Sequence, residues 1–205
     1  MIAVVDYDAG NLRSVETALR HLGASFVITA EPARLRSADR VIVPGVGDAA
    51  AAMRRLDEAG LSDALREQAA AGVPLLGICL GSQIVLDQSA ENDASCLGLI
   101  AGETVAFDDR PGRKVPHMGW NTIRIDAGHP LFAGIPAGTS FYFVHSYYPR
   151  PRDTADCLAL CEYGEQFCAV VGHGNVIATQ FHPEKSGEPG LTMLGNFLAW
   201  NPGAA

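Results

Sequence analysis

The chain has 205 residues, of which 48% are hydrophobic and 19% charged, and its formal net charge is −8. This composition is typical of a globular α/β protein and excludes a disordered chain, and the acidic balance gives no electrostatic reason to expect nucleic acid. No apolar run approaches the roughly 20 residues of a membrane helix, and Met1 leads directly into a strand-like segment. We therefore expect a cytoplasmic protein that does not interact with a membrane.

Short apolar runs alternate with helix-like segments through the first 90 residues. The runs are residues 2–6, 26–28, 41–43 and 75–78, and residues 12–22 show helical spacing of leucine and valine. This alternation predicts a central, mostly parallel sheet with helices on both faces. Ligands of such folds gather at the carboxyl ends of the strands.

From about residue 103 the sequence becomes rich in strand-like segments separated by Gly and Pro turns. We expect strands at 104–107, 122–125, 141–144, 167–171 and 176–181, and a closing helix at 187–200. The second half therefore adds β-hairpins to the α/β core. Because no long polar linker divides the two halves, we predict a single domain spanning residues 1–205.

The five cysteines form no CxxC pair. Cys157 and Cys161 are spaced CxxxC, but no second ligand pair lies near them in the sequence. We expect both to pack inside a strand, and we expect no metal site.

The sharpest local signal is Gly-Ile-Cys-Leu-Gly at 77–81, after an apolar strand and before a helix-like stretch at 83–88. It resembles a nucleophile elbow, in which small flanking residues allow close backbone approach to a strained turn. The amides and dipole of a helix N-terminus favour the reactive thiolate there. Most free cysteines are simply buried, but the two glycines favour Cys79 as a nucleophile.

A thiol nucleophile needs a base and a group that orients the base. His182-Pro183-Glu184 supplies both. If Pro183 keeps the segment extended, the two side chains point to the same side, although the carboxylate must bend back to reach the ring. A structural role for His182 is about equally compatible with the sequence, and His145 is the next candidate base.

Pro-Gly-Val-Gly at 44–47 follows the strand that ends near Val43, at the same sheet edge as Cys79. The backbone amides of Val46 and Leu80 could stabilise the negative oxygen of an acyl-transfer transition state. A plain strand-to-helix turn explains the same residues.

These three motifs, in their order along the sequence, resemble those of the class I, or triad, glutamine amidotransferases. The finer resemblance is to glutaminase subunits that serve imidazole glycerol phosphate synthesis. It rests on Asp-Tyr at 6–7, Gly-Asn-Leu-Arg-Ser at 10–14, Pro-His-Met-Gly-Trp-Asn at 116–121, Tyr-Phe-Val-His-Ser-Tyr at 142–147 and Gln-Phe-His-Pro-Glu-Lys-Ser at 180–186. These motifs span nearly the whole chain.

The resemblance implies a flavodoxin-like fold and a Cys79–His182–Glu184 triad that releases ammonia from glutamine through a thioester, without a cofactor. It implies glutamine contacts by Gly47, Gln83 and the backbone of Ser146 and Tyr147. It further implies a (β/α)8-barrel cyclase partner in histidine biosynthesis, and a free subunit that is dormant. The implied partner-facing residues are Asn11, Trp120, Tyr142 and Lys185.

Two departures from the family pattern stand out. Asp8-Ala9 replaces the glycine or proline common before Gly-Asn, and Ser82 replaces a frequent methionine. Neither removes a triad residue, but the first touches the implied interface.

Other functions remain open at this point. A stand-alone Cys-His hydrolase would act without a partner, and a binding module would tolerate loss of Cys79. Amidotransferases that serve anthranilate, guanylate or pyridoxal phosphate synthesis are the nearest functional rivals.

Overall fold

The structure is a computed structural model that describes residues 1–8, 10–108, 110, 112–126 and 128–203. The helices of this part are α1 (Leu12–His21), α2 (Pro32–Arg36), α3 (Ala49–Glu58), α4 (Leu61–Ala70), α5 (Leu80–Ile84) and α6 (Gly187–Ala199). The strands are β1 (Ile2–Val5), β2 (Phe26–Thr29), β3 (Arg40–Gly45), β4 (Leu75–Cys79), β5 (Gln88–Ser89), β6 (Ala94–Ser95), β7 (Gly102–Ala106), β8 (His117–Ile125), β9 (Ser140–His145), β10 (Tyr147–Pro151), β11 (Cys157–Glu162), β12 (Gln166–His173) and β13 (Val176–Thr179).

Nine strands form the main sheet, in the order β2-β1-β3-β4-β13-β12-β11-β8-β9. The first five run parallel, and the remaining pairings are antiparallel. The predicted α/β fold is thus confirmed, with a parallel half from the first strands and an antiparallel half from the later ones. Strand β13 joins the two halves, because it lies parallel to β4 and antiparallel to β12.

Both faces of the main sheet are buried, because alternate residues of β1 belong to different cores. Ile2 and Val4 pack in a cluster with the buried residues of α1 and α6, whereas Ala3 and Val5 pack with those of α3 and α4. The helices therefore cover the sheet on two sides, as the sequence predicts. Among the described helices, none has the length and apolar character to cross a membrane.

A smaller, four-stranded sheet has the order β10-β7-β5-β6. The predicted helix at 83–88 is wrong beyond Ile84, where α5 ends. Gln88 belongs to strand β5 and pairs with β6 and β7. The backbone carbonyls of residues 84–86 accept hydrogen bonds from the amides of residues 97–100, so they are not available to continue the helix.

The strand predicted at 176–181 ends earlier, at Thr179. The hydroxyl of Thr179 donates to the carbonyl oxygen of Phe181, 3.0 Å away, and turns the chain out of the sheet. Cys157 and Cys161 lie in strand β11, as expected for packed cysteines. The end of β13 places residues 180–184 beside the carboxyl end of β4.

Candidate active site

Cys79 occupies a strained turn at the carboxyl end of β4. Its φ of 55° and ψ of −103° lie outside the regions that a residue with a side chain normally adopts, and the residue is 5% exposed. A Cβ atom added to Gly81 would lie 2.1 Å from the carbonyl oxygen of Val43, and one added to Gly77 would lie 2.7 Å from that of Gly81. The glycines on both sides of Cys79 are therefore required by close backbone contacts.

Two polar side chains support the cysteine turn. The hydroxyl oxygen of Ser82 is 2.7 Å from the Cys79 carbonyl oxygen and 3.2 Å from Oε1 of Gln180, and Gln180 Nε2 is 3.8 Å from the Cys79 sulfur. Ser82, a departure from the family pattern, thus bonds to the turn itself. Gln180 is not among the predicted site residues, although its place two residues before His182 is a signal that both side chains point to one side.

His182 and Glu184 form a buried pair with 2.7 Å between Nδ1 and Oε1. The expected extended segment is wrong beyond His182, because residues Pro183–Lys185 form a 3₁₀ turn. That turn folds the carboxylate back to the imidazole ring, as an extended chain would not. Both side chains are 0% exposed.

The charge state of His182 depends on its burial and on its two neighbours, Cys79 and Glu184. Burial lowers the pKa of His182, but interactions with Cys79 and with Glu184 outweigh it and raise the pKa to about 9. The ring therefore holds its proton at neutral pH. Its other ring nitrogen, Nε2, has no hydrogen-bond partner among the described residues.

Asn11 lies against this pair from the N-terminus of α1. Its amide nitrogen donates to Oε1 of Glu184 and is 3.3 Å from Nδ1 of His182. Because Nδ1 gives its proton to Glu184, only the bond to the carboxylate is a true hydrogen bond. The sequence placed Asn11 at a partner interface and did not predict this contact.

Val46 and Leu80 leave the sheet side by side. Gly45 is the partner of Cys79 in the parallel pairing of β3 with β4, so the next residue of each strand emerges at the same edge. Gly47 has a φ of +108°, which a side chain rarely allows. The structure thus brings the Val46–Gly47 segment to the cysteine turn.

Gln83, in helix α5 directly after Cys79, contacts the Ser146–Tyr147 segment. The Gln83 amide nitrogen donates to the carbonyl oxygen of Tyr147 and to Oε1 of Gln180, both at 3.2 Å. The carbonyl oxygen of Ser146 accepts from the Phe107 amide at 3.0 Å. With both amide protons of Gln83 engaged, its own oxygen is the atom left to accept a further bond.

An exposed apolar surface begins next to the site. Met118 and Trp120 on β8 are 63% and 59% exposed, and Trp120 pairs with Tyr142 of β9, with 6.1 Å between ring centroids. The Tyr142 ring is 6.5 Å from that of His182. Lys185 is also exposed and directly follows the carboxylate of Glu184.

The departure at 8–9 is only partly visible. The carbonyl oxygen of Asp8 accepts from Nη1 of Arg55 at 2.6 Å, whereas Ala9 lies outside the described residues. Asp8 is thereby tied to helix α3.

The fold is that of class I glutamine amidotransferases. It is similar to a solved structure described as "Crystal structure of glutamine amidotransferase" (TM-score 0.72, 24% identity, 97% of this chain and 99% of that one) and to "Structure of PurLQS from Thermotoga maritima" (TM-score 0.73, 21% identity, 97% of each chain). The family model "Glutamine amidotransferase class-I" matches residues 3–200.

Curated relatives narrow this class. The chain is 50% identical to "Imidazole glycerol phosphate synthase subunit HisH" of Nitratidesulfovibrio vulgaris (strain Miyazaki F), over 98% of this chain and 97% of the relative. It is 48% identical to the HisH subunit of Dehalococcoides mccartyi (strain CBDB1), over 97% and 96%. The chain belongs to the class I glutamine amidotransferases and, within them, to the HisH subunits of imidazole glycerol phosphate synthase.

Proposed function

We propose that this protein is the glutaminase subunit of an imidazole glycerol phosphate synthase, with Cys79 as nucleophile, His182 as proton carrier and Glu184 as the group that orients His182. The observation that carries the proposal is the buried His182–Glu184 pair beside a cysteine on a strained strand-to-helix turn. A nucleophile, a base and an orienting carboxylate are the parts that covalent amide hydrolysis requires.

The reaction runs in two halves. The Cys79 sulfur attacks the side-chain amide carbon of glutamine, and the ring of His182 gives its proton to the departing nitrogen, so that ammonia leaves and a glutamyl thioester remains. Water then attacks the thioester as His182 accepts its proton, and glutamate and the free cysteine result. Because the pKa of His182 is about 9, the ring carries a proton at neutral pH and can donate it to the departing nitrogen in the first half.

The strand ends supply the binding groups. The backbone amides of Val46 and Leu80 stabilise the tetrahedral oxygen, because paired strands bring both residues to the cysteine turn. Gly47, the Gln83 side-chain oxygen and the backbone of Ser146 and Tyr147 hold the glutamine. Asn11 holds the Glu184 carboxylate in place and also lies on the side that faces the partner.

The ammonia passes to a (β/α)8-barrel cyclase, which uses it in histidine biosynthesis. Trp120, Tyr142 and Lys185 form the docking surface, supported by the exposed apolar side chains that border the triad. A partner seated there would cover the site and keep ammonia from water. Occupation of the cyclase then activates a subunit that is dormant when free.

Two broader features belong to the same proposal. The chain acts in the cytoplasm, supported by cysteines that are all free in a fold with no disulfide among its described residues. Residues 1–205 form one domain, supported by a main sheet that takes strands from both halves of the sequence.

Glutamate release tests this function. The wild-type chain, Cys79→Ala and the matched control Cys96→Ala are each assayed alone and with the cyclase and its nucleotide ligand. Cys96 is a buried free cysteine outside the site. We expect strong activation by the partner in the wild type and in the control, and none in Cys79→Ala. Full activity without the partner would indicate an autonomous hydrolase instead.

A further inference from the structure

Two buried histidines are paired across neighbouring strands: His117 is the first residue of β8 and His145 is the last residue of β9. Nδ1 of His117 is 2.9 Å from Nε2 of His145, and Nδ1 of His145 is 2.7 Å from the carbonyl oxygen of Tyr147. Their residues are 3% and 5% exposed. The thiol chemistry uses neither ring, so this polar pair inside an aromatic core needs a different explanation.

The Tyr147 end of this chain of bonds fixes the proton positions. A carbonyl oxygen only accepts, so Nδ1 of His145 carries a proton and donates it. In a neutral ring, Nε2 of His145 is then an acceptor. Nδ1 of His117 therefore carries the proton that lies between the two rings.

The Asn121 end of this series of hydrogen bonds requires the same proton positions. The side-chain nitrogen of Asn121 donates to the carbonyl oxygen of Glu162 at 2.8 Å, and its oxygen accepts from the amide of Thr122, so the orientation of the side-chain amide is fixed. That nitrogen is 3.3 Å from Nε2 of His117, which must accept. Both ends thus demand a proton on Nδ1 of His117.

The surroundings keep the rings neutral and in place. The ring of His117 is stacked between Phe143, 4.8 Å away, and Tyr163, 4.1 Å away. Burial lowers the pKa of His117 to about 4 and that of His145 to about 3. Neutral rings are the form that the hydrogen bonds require.

We propose that His117 and His145 are positioning residues: two neutral imidazoles, each protonated on Nδ1, that hold the Tyr147 carbonyl and with it the Ser146–Tyr147 segment. The same carbonyl accepts from Gln83, so the pair also orients the Gln83 side chain, which donates to Gln180 beside the Cys79 sulfur. The consequence for glutamine binding rests on the proposed function, which places the substrate on this segment.

The proton positions can be measured without any activity. Long-range ¹⁵N–¹H spectra of the histidine rings in the full wild-type chain distinguish Nδ1–H from Nε2–H tautomers. We expect two neutral Nδ1–H rings at pH 7, assigned by their loss in His117→Phe and His145→Asn. An Nε2–H tautomer or a protonated ring at either position would overturn the proposal.

Glutaminase kinetics with the cyclase partner test the positioning role. His117→Phe keeps an aromatic ring between Phe143 and Tyr163 but removes the donor, and we expect the KM for glutamine to rise about fivefold or more while kcat changes less. His117→Asn restores a donor near the position of Nδ1, so its KM should return close to the wild-type value. The control His129→Phe alters a half-buried histidine beside Trp200 and should leave KM unchanged.

The outcomes separate the two proposals. An unchanged KM in His117→Phe, or a His117→Asn variant as impaired as His117→Phe, would refute positioning. A wild-type complex without glutaminase activity would refute the proposed function, whereas the tautomer spectra would still decide the state of the histidine pair.

Discussion

Asn11 and Glu184 are joined by a hydrogen bond although 173 positions separate them in the sequence. Asn11 is the residue just before helix α1, and Glu184 lies in the 3₁₀ turn after β13. The contact ties the start of the fold to the carboxylate that orients His182. The loop before α1 therefore acts on the triad directly as well as lying toward the proposed partner.

Replacing Asn11 by Ala should lower glutaminase activity, because Glu184 would lose the side chain that holds it in place. The variant loses a hydrogen bond to a buried carboxylate, which typically contributes about 1.5–3 kcal/mol. We expect kcat/KM to fall at least tenfold in the complex, measured as glutamate release. An effect on complex affinity alone, with normal kcat at saturating cyclase, would place Asn11 only at the interface.

Glu184→Gln should lower the pKa of His182. The pKa of His182 in the folded protein is raised to about 9, above its ordinary value of 6.5, so the paired proton stabilises the fold fully below pH 6.5 and this stabilisation is lost as pH rises through 9. The variant keeps an acceptor but loses the negative charge. We expect the free energy of unfolding to fall by about 1–3 kcal/mol at pH 6 and by less at pH 10.

Urea unfolding of both proteins at the two pH values measures this difference. An equal loss of stability at pH 6 and pH 10 would contradict a protonated His182 in the folded state.

Gly81→Ala should strongly destabilise the protein. The added Cβ would meet the carbonyl oxygen of Val43 at 2.1 Å, a backbone contact that a rotamer change cannot relieve. We expect a loss of about 3 kcal/mol or more in thermal or urea unfolding. The control Gly195→Ala adds a methyl to α6 at an ordinary contact distance of 3.9 Å from the Leu22 side chain, and should be neutral or slightly stabilising. Equal stability of the two variants would show that the elbow tolerates a side chain.

His145→Asn should weaken the dependence of stability on acid. The pKa of His145 in the folded protein is lowered to about 3, so the unfolded chain binds one more proton than the folded one between pH 6.5 and 3. Stability therefore falls as pH decreases through this window, by at most about 1.4 kcal/mol per pH unit for this ring. The slope of unfolding free energy against pH should be smaller in the variant, and an unchanged slope would show that His145 is charged in the folded state.

Much of this arrangement is local in the sequence, and that part could be predicted. The β4 strand, the glycines around Cys79 and the helix after Gly187 follow from apolar runs and small residues within a few positions. What could not be predicted depends on the packing of distant segments. The bond between Gln180 and the Cys79 turn spans about a hundred residues, and the His117–His145 pair joins two strands.

The turn at Pro183–Lys185 shows the same limit on a shorter scale. Proline favours an extended preceding residue, and His182 is extended as expected. The fold back toward the ring depends on the buried Ser186 hydroxyl, which donates to the His182 carbonyl oxygen at 2.6 Å and accepts from the Tyr142 amide at 3.0 Å. The position of the Glu184 carboxylate therefore depends on strand β9, which lies about forty residues earlier in the sequence and binds Ser186 through the Tyr142 amide.

Trapping the glutamyl thioester is the decisive test of Cys79 as the nucleophile. The complex of this chain with its cyclase is mixed with glutamine, quenched in acid during turnover, digested and analysed by mass spectrometry. We expect a glutamyl group on the peptide that contains Cys79, absent in Cys79→Ala and retained in Cys96→Ala. Glutamate formation without any adduct on Cys79, or an adduct on another cysteine, would contradict it.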